Sequence, residues 1–249
     1  MPIVIIIFFI VHWYASLFFQ TFFHHRYAAH RMFTMSKFWE RTFHFGSFVF
    51  QGSSYLSPRA YGILHRLHHL HADTPEDPHS PKYDKNIMKM MWRTKIIYSS
   101  ILKGKTEVAD HLKRNLPPSG RMELIADHKI TRALWFGVYV AFYIYFQAPI
   151  WMYFTFLPIQ AVMGPFHGVI INWFAHKYGY ENFKTKDTSK NLLPLDVLML
   201  GESYHNNHHG RSKSANFGYK WWEIDPVYIA IWVFDKLRII RLVPEQAKN

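Results

Sequence analysis

The chain alternates between long apolar stretches and stretches crowded with basic residues. The first apolar stretch runs from Pro2 to Phe23, and His12 is its only titratable acidic or basic residue. At about 1.5 Å per residue, a helix of this length spans a hydrocarbon core of roughly 30 Å. Residues 1–23 are therefore predicted to form a transmembrane helix. A cleaved signal peptide is the alternative, but the stretch has neither a basic region before it nor a small-residue cleavage site.

Two further apolar stretches, residues 133–146 and 150–175, are separated by only three residues. This pattern predicts a transmembrane helical hairpin over residues 133–175, with a tight turn between its two arms. Pro158 and Pro165 are expected to kink the second arm, because proline removes a backbone donor and clashes with the preceding turn.

A shorter apolar patch covers residues 43–56 and is interrupted by polar residues such as His44 and Gln51. It is too short and too polar for a full crossing of the bilayer. We interpret it as a re-entrant or short membrane segment, in which any irregular backbone must be covered by protein.

The basic residues indicate how these segments are oriented. Most lysines and arginines fall in residues 57–132 and 176–249, and none falls in the hairpin turn. By the positive-inside rule both basic segments are cytosolic, which is consistent only if residues 43–56 do not cross the bilayer. The predicted fold is an all-α integral membrane protein with few transmembrane helices and a re-entrant segment, capped by a helical cytosolic region. No repeat or flexible linker divides residues 1–249, so a single domain is expected.

Composition narrows the class of protein further. Aromatic residues make up 18% of the chain, and the mean hydropathy of −0.12 averages over apolar and basic stretches. The chain has no cysteine, which excludes disulfides, thiolate metal sites and cysteine nucleophiles. The net charge of +12 would also suit a nucleic-acid binder, but the apolar stretches argue against a basic face on a soluble fold.

Two triplets of histidines have the spacing i, i+3 and i+4, which places three side chains within an arc of about 100° on a helix. The triplets are His65, His68 and His69, and His205, His208 and His209. All three rings of a triplet can therefore point at one place. Neutral imidazole is the commonest metal ligand, and two such triplets exceed what one tetrahedral ion needs.

Three more histidines are expected at the same membrane face. His25 and His30 are five residues apart and would diverge by roughly 140° on a regular helix, so they are predicted to lie at a helix end or on two sides of a site. His176 closes the second arm of the hairpin. The remaining histidines considered, which we interpret as structural, are His12, His44, His111, His128 and His167.

The donor set favours iron. Nitrogen ligation of two ions without thiolate suits iron, and open positions on a dinuclear iron site suit oxygen activation. A soluble di-iron carboxylate enzyme would instead carry two Glu-x-x-His pairs on bundle helices. The sequence offers Glu76 with His79 and Glu202 with His205, but prolines around the first pair indicate a loop. A zinc hydrolase would need fewer histidines.

Four motifs occur in a characteristic order: H-R-x-x-x-H from His25, H-R-x-H-H from His65, N-x-x-x-H from Asn172 and G-E-x-x-H-N-x-H-H from Gly201. In this order they resemble the membrane fatty-acid desaturase family, and residues 24–210 carry the resemblance. The likeness is closest to the acyl-CoA desaturases of the Δ9, or stearoyl-CoA, type.

This resemblance implies two iron ions held by nine histidines, with Asn172 in contact through a water. The nine are His25, His30, His65, His68, His69, His176, His205, His208 and His209. It also implies O2 as co-substrate and a fatty acyl substrate, either acyl-CoA or acyl lipid, that gains a cis double bond. Two electrons would come from a separate carrier, a ferredoxin or a small haem cytochrome with its reductase. No substrate-binding residue is assigned.

Two other functions stay open. A fatty acyl or lipid hydroxylase of the same superfamily would need the same metals, and its product would be an alcohol. A histidine-rich metal or proton transporter belongs to a different class, and its histidines would lie along the membrane segments. The expected location is integral and multi-pass, with the active site on the cytosolic face of a bacterial inner membrane or of the endoplasmic reticulum.

Overall fold

The computed structural model describes residues 2–118 and 120–244 and is mostly helical. The α-helices are α1 (Pro2–Phe19), α2 (Lys37–Gln51), α3 (Pro58–His71), α4 (Ile87–Leu102), α5 (Asp110–Lys113), α6 (Arg121–Asp127), α7 (Lys129–Tyr145), α8 (Ile150–Ala161), α9 (Met163–Val169), α10 (His205–Gly210) and α11 (Pro226–Lys236). Two π-helical segments (Gln20–Ala29 and Ile170–Phe174), one 3₁₀ turn (Gly52–Ser54) and the strands β1 (Phe33–Met35) and β2 (Ile240–Leu242) complete the elements.

The first helix is long and apolar enough to cross a membrane. Helix α1 continues without a break into the π-helical segment, so that one helix runs from Pro2 to Ala29 over 28 residues. Within the described residues this is the one helix that meets the length and composition of a span by itself, and the bent pair α8 and α9 would be a second. Helix α7 packs beside α1, with Phe142 4.2 Å from Phe8 between ring centroids.

The second arm of the predicted hairpin is broken by a bend of 80° between α8 and α9. The bend falls at Val162, between the two prolines, and Pro158 remains inside α8. Side chains from other segments satisfy the backbone groups that the bend frees. Ser53 Oγ donates to the carbonyl of Ala161 at 3.1 Å, and Gln20 Nε2 donates to that of Gly164 at 3.3 Å. The irregular backbone is therefore covered by protein, as it must be at membrane depth.

A small sheet pairs the segment that follows the first helix with the segment that follows α11. Strands β1 and β2 are antiparallel, and Phe33 is paired with Leu242. Beside them, α11 packs on the cluster of aromatic rings at the end of α1, with Phe234 5.6 Å from Phe22. The expectation of a purely α-helical chain is thus correct for most residues, and this pair of three-residue strands is the exception.

Helix α3 is held against the π-helical segment Gln20–Ala29. Ser57 Oγ caps the helix by accepting from Ala60 N at 3.0 Å, and proline is preorganised for the first helical position that follows. Arg66 donates to the carbonyls of Ala28 and Ala29 at 3.0 and 2.7 Å. One guanidinium therefore fixes the distance between the two elements that carry the first two histidine motifs.

The turn after α2 admits only glycine. Gly52 has φ 51, and a Cβ there would lie 1.8 Å from the hydroxyl oxygen of Tyr139 on α7. We expect Gly52→Ala to destabilise the protein by more than about 1 kcal/mol, because both the backbone conformation and the close approach oppose a side chain. Gly137→Ala on α7 is the control, since no heavy atom lies within 4 Å of its added Cβ. Thermal unfolding in detergent measures both, and equal unfolding temperatures would contradict the prediction.

Candidate metal centre

Five of the predicted histidines form one group. One ring nitrogen from each lies within 4.8 Å of all the others, and the members are His25, His30, His65, His69 and His208. The Nε2 atoms of His30 and His65 are 2.8 Å apart, and that of His208 lies 2.9 Å from that of His69. Residues from α1's π-helical extension, α3 and α10 thus converge on one point.

The other four predicted histidines form a second group with the same limit of 4.8 Å, and its members are His68, His176, His205 and His209. The Nε2 atoms of His176 and His205 are 3.0 Å apart. Within the described residues, the buried Nε2 atoms of His68 and His209 have no hydrogen-bond partner. The two groups adjoin, because the rings of His69 and His209 lie 4.5 Å apart.

The structure divides each histidine triplet between the two groups, so the expectation that a triplet points at one place is wrong. On α3, His65 and His69 belong to the first group and His68 belongs to the second. Positions i and i+4 differ by about 40° around a helix, whereas i+3 and i+4 differ by about 100°. An i, i+4 pair therefore shares one point and the i+3 residue faces another. Helix α10 repeats this division with the roles of the groups exchanged.

The π-helical geometry explains how His25 and His30 meet. The amide of His30 donates to the carbonyl of His25 at 3.1 Å, the i to i+5 bond of a π-helix. The two rings then lie 5.1 Å apart between centroids. His30 is at the helix end, as expected, but the divergence of roughly 140° applied to a regular α-helix and does not hold in a π-helix.

His176 follows the second π-helical segment and is placed by two neighbours. Its Nδ1 lies 3.3 Å from Thr188 Oγ1 and 3.6 Å from a carboxylate oxygen of Asp73. Asn172 lies on that π-helical segment, four residues before His176, and is half-buried. Its contact with a metal through water stays a prediction.

Carboxylates orient three of the rings, and sequence reasoning did not assign them this role. His25 Nδ1 donates to Glu202 at 2.6 Å, and His209 Nδ1 donates to Asp187 at 2.9 Å. His68 Nδ1 lies 3.0 and 3.1 Å from the two carboxylate oxygens of Asp77. Each bond fixes the proton on Nδ1, so that Nε2 presents its lone pair to the group, as metal-bound histidines do.

The positions of these carboxylates in the sequence predict their histidine partners only in part. Asp77 closely follows the second motif and is bonded to His68 of that motif, whereas Glu202 stands three residues before His205 but is bonded to the distant His25. Asp187 has no local signal, because the loop that carries it meets His209 only in the folded chain. The Glu76 and His79 pair does not form a ligand pair, since Glu76 is exposed in a turn, in agreement with the loop expected there.

His79 is a further buried ring that the sequence did not single out as a site residue. Its ring lies 4.4 Å from that of His68 between centroids, and within the described residues neither of its ring nitrogens has a hydrogen-bond partner. With His68 and Asp77 it forms a third set of potential metal-binding side chains. The Nδ1 of His68 is already engaged by Asp77, however, and its Nε2 faces the second group.

Burial favours the neutral form of four of these imidazoles. It lowers the pKa of His65, His205 and His208 well below the ordinary value of 6.5, and neighbouring histidine rings lower it further. For His209 burial lowers the pKa to about 4, although the bond to Asp187 opposes the shift. Neutral imidazole is the form that binds a metal.

The arrangement fits a pair of transition-metal ions. Nitrogen atoms that carry lone pairs approach one another to 2.8–3.1 Å, as in the pair His25 and His208, and a shared cation relieves this contact. Four or five nitrogen donors for each group, without a thiolate, suit iron among the first-row metals.

The structure thus combines an apolar helix of membrane-spanning length, shorter helices and two buried groups of histidines that could hold metal ions. The family model for fatty acid desaturase matches residues 1–235, and the chain belongs to the fatty acid desaturase family. This family is membrane-bound, and membership supports an oxidoreductase that desaturates fatty acids.

Similar proteins come from plants. The Delta-9 desaturase-like 4 protein of Arabidopsis thaliana is 31% identical over 224 residues, which cover 88% of this chain and 69% of the relative. Delta-9 acyl-lipid desaturase 1 of the same species is 31% identical, over 89% of this chain and 68% of the relative. An acyl-CoA 5-desaturase of Anemone leveillei is 30% identical, over 86% and 63%. The resemblance to Δ9 desaturases is therefore confirmed.

Removing the orienting charge beside His68 should weaken metal binding. We expect Asp77→Asn to lower Fe(II) affinity about 10- to 100-fold, because the neutral amide makes His68 less basic and holds its ring less firmly. Asp110→Asn is the control, since Asp110 pairs with Lys113 at an exposed site. Competition with a chelator in detergent measures the affinity. Equal affinities for the two variants would show that Asp77 does not support a metal ligand.

The stability of the metal-free protein should fall as the pH is lowered from about 6.5 to about 4. The pKa of His209 is lowered to about 4 in the fold, so over this range the unfolded chain binds a proton that the folded chain does not. Each such proton removes up to about 1.4 kcal/mol per pH unit. Thermal unfolding of the chelator-treated protein measures this slope, and His209→Gln should reduce it. An unfolding temperature that stays constant or rises on acidification would contradict it.

Proposed function

We propose that the chain is a membrane di-iron desaturase that uses O2 and two external electrons to introduce a cis double bond into a fatty acyl chain. The observation that supports this most strongly is the division of nine histidines into two adjoining groups of ring nitrogens. Iron bound there would supply the activation of O2 needed to remove two hydrogens from neighbouring methylenes. Under this proposal the nine histidines are the iron ligands and Asn172 makes a contact through water.

The chain's own residues hold and orient these ligands. Glu202, Asp77 and Asp187 keep protons on the Nδ1 atoms of three ligands, which leaves Nε2 free to bind. Rigid placement matters for oxidative chemistry, because small displacements of reacting groups are costly. Phe217 packs 4.5 Å from the ring of His208 and helps to keep water from the first group.

The membrane arrangement is part of the proposal. Residues 1–23 would cross the bilayer, 133–175 would form a membrane-inserted hairpin, and 43–56 would be re-entrant. The 28-residue helix from Pro2 and the covered bend at Val162 support this arrangement. Residues 57–132 and 176–249 carry most basic residues and would face the cytosol, with the centre on that side of a bacterial inner membrane or of the endoplasmic reticulum.

The substrate and the electron donor are proposed at the level of chemical class. We infer a fatty acyl chain carried by CoA and a Δ9-like position, which the names of the relatives support in part: they include a Delta-9 acyl-lipid desaturase and an acyl-CoA 5-desaturase. The chain has no cysteine for an iron–sulfur centre, so electrons would come from a separate ferredoxin or haem cytochrome. The net charge of +12 suits docking of an acidic carrier.

Expression in a host that lacks its own desaturase tests the reaction. We expect new cis-monoenoic fatty acids in the host lipids by gas chromatography with mass spectrometry. His68→Ala and His208→Ala each remove a ligand from a different group and should lower the product at least about 100-fold. His111→Ala is the matched control, because His111 is exposed on α5 and lies outside both groups.

The products separate the alternatives. Hydroxylated chains would favour a hydroxylase, and oxygen-independent metal uptake would favour a transporter. An unchanged lipid profile, with iron loaded and an electron donor active, would overturn the fatty acyl proposal. Purified protein supplied with labelled stearoyl-CoA or with labelled phospholipid would then identify the carrier of the acyl chain.

A further inference from the structure

A loop that the charge pattern assigns to the cytosol exposes a patch of aliphatic side chains. In the loop Leu195–Leu198, Leu195 and Val197 are each 56% exposed, and Leu198 is 49% exposed. Asp196, between them, is fully buried. Three apolar side chains therefore point outward from a loop whose single charged residue points inward.

The loop lies beside the middle of the proposed membrane helix. Trp13 Nε1 on α1 donates to the carbonyl of Leu198 at 3.2 Å. Trp13 also packs in one cluster with Met199, Leu17 and Met163. Since Trp13 is twelve residues before His25, the loop meets α1 about 18 Å along the helix from that ligand. This places the loop at the level of the hydrocarbon, not of the basic cytosolic surface.

The side chain of Asp196 and the carbonyl of Leu198 are both hydrogen-bonded inside the protein, which lowers the polarity of the loop and of the turn that follows it. The carboxylate of Asp196 accepts from the amide nitrogens of Met199, Gly201 and Ser203 at 2.8–2.9 Å. Trp13 satisfies the carbonyl of Leu198. Irregular backbone is tolerated at membrane depth only where its polar groups are paired in this way.

Helix α11 presents a second exposed apolar face. Its exposed residues Ile229, Trp232 and Val233 are followed by the exposed Lys236, and the four have the spacing i, i+3, i+4 and i+7 of one helical face. Lys236 Nζ lies 5.7 Å from the ring of Trp232. Tryptophan with a neighbouring lysine is typical of the membrane interface, where the ring meets the headgroups and the cation meets phosphate.

One residue behind the loop connects its core cluster to that of α11. Leu200 packs against both the cluster that contains Trp13 and the cluster that contains Ile231 of α11. Phe234 of α11 contacts Phe22 near the end of the membrane helix. We call the exposed residues of the loop and helix the anchor surface; they are Leu195, Val197, Leu198, Ile229, Trp232 and Val233.

We propose that the anchor surface inserts into the lipid leaflet on the side of the metal centre, with the loop in the acyl region and α11 at the headgroups. This rests on the proposed membrane crossing of α1 and goes beyond it, because residues 176–249 were expected to be cytosolic. The occupant is lipid rather than a second copy of the chain, since the loop is bonded to a helix whose own exposed residues, such as Ile7 and Val11, are aliphatic.

The absence of cysteine from the chain allows a direct test. Val197→Cys and Ile229→Cys are labelled with a nitroxide, and the protein is reconstituted in vesicles of phosphatidylcholine and phosphatidylglycerol. Power saturation then compares contact with O2, which concentrates in the bilayer, with contact with a water-soluble nickel chelate. Ile7→Cys on α1 is the lipid reference, and Lys105→Cys, an exposed position after α4, is the water reference.

We expect the ratio of O2 contact to nickel contact at positions 197 and 229 to match that at position 7 and to exceed that at position 105. Nickel contact at 197 and 229 equal to that at 105, with position 7 in lipid, would overturn the anchor surface alone. Nickel contact at position 7 as well would overturn the membrane crossing of α1. Protection from both reagents, with dipolar broadening between labels, would replace lipid by a second copy of the chain.

Discussion

The close approach of nine imidazole rings is the interaction on which the rest of the structure depends. The rings are buried together, and their nitrogens are too close for every one to find a hydrogen-bond donor. Two such groups of nitrogen donors are stable only if the rings are held in place and their lone pairs are accepted. The carboxylates of Glu202, Asp77 and Asp187 hold three of the rings, and metal ions are suited to accept the lone pairs.

The elements that carry these rings are fastened to one another by buried charge. Arg26, fully buried beside His25, donates to Asp225 at 2.8 Å and stacks at 4.0 Å on Phe217. Asp225 also caps α11, so the ion pair joins the end of the helix that begins at Pro2 to α11. Arg66 performs the same task between α3 and the π-helical segment through backbone carbonyls. Removing either partner of such a buried pair would leave the other uncompensated.

The histidine spacing and the apolar stretches were sufficient to predict which residues come together and that the chain is helical. The sequence could not show how they come together. The π-helical turn at His25 lies where the segment Gln20–Ala29 packs against α3, and no local pattern distinguishes it from an α-helix. Asp187 reaches His209 through a loop whose path depends on the whole fold, and the bend at Val162 relies on Ser53 and Gln20 from distant segments. Contacts of this kind are set by tertiary structure, which a single sequence pattern does not encode.

The division of the triplets sets the spacing of the two groups. His68 and His69 are consecutive, as are His208 and His209, and in each case one residue serves each group. On each of two helices, a single peptide unit therefore fixes the distance between the two groups. This distance cannot change unless the helix breaks its own hydrogen bonds. One residue inserted between the paired histidines of α3 or α10 would leave the composition nearly unchanged but would turn one ring away from its group. Outside the histidines themselves, these two helices should accordingly tolerate substitutions far better than insertions or deletions.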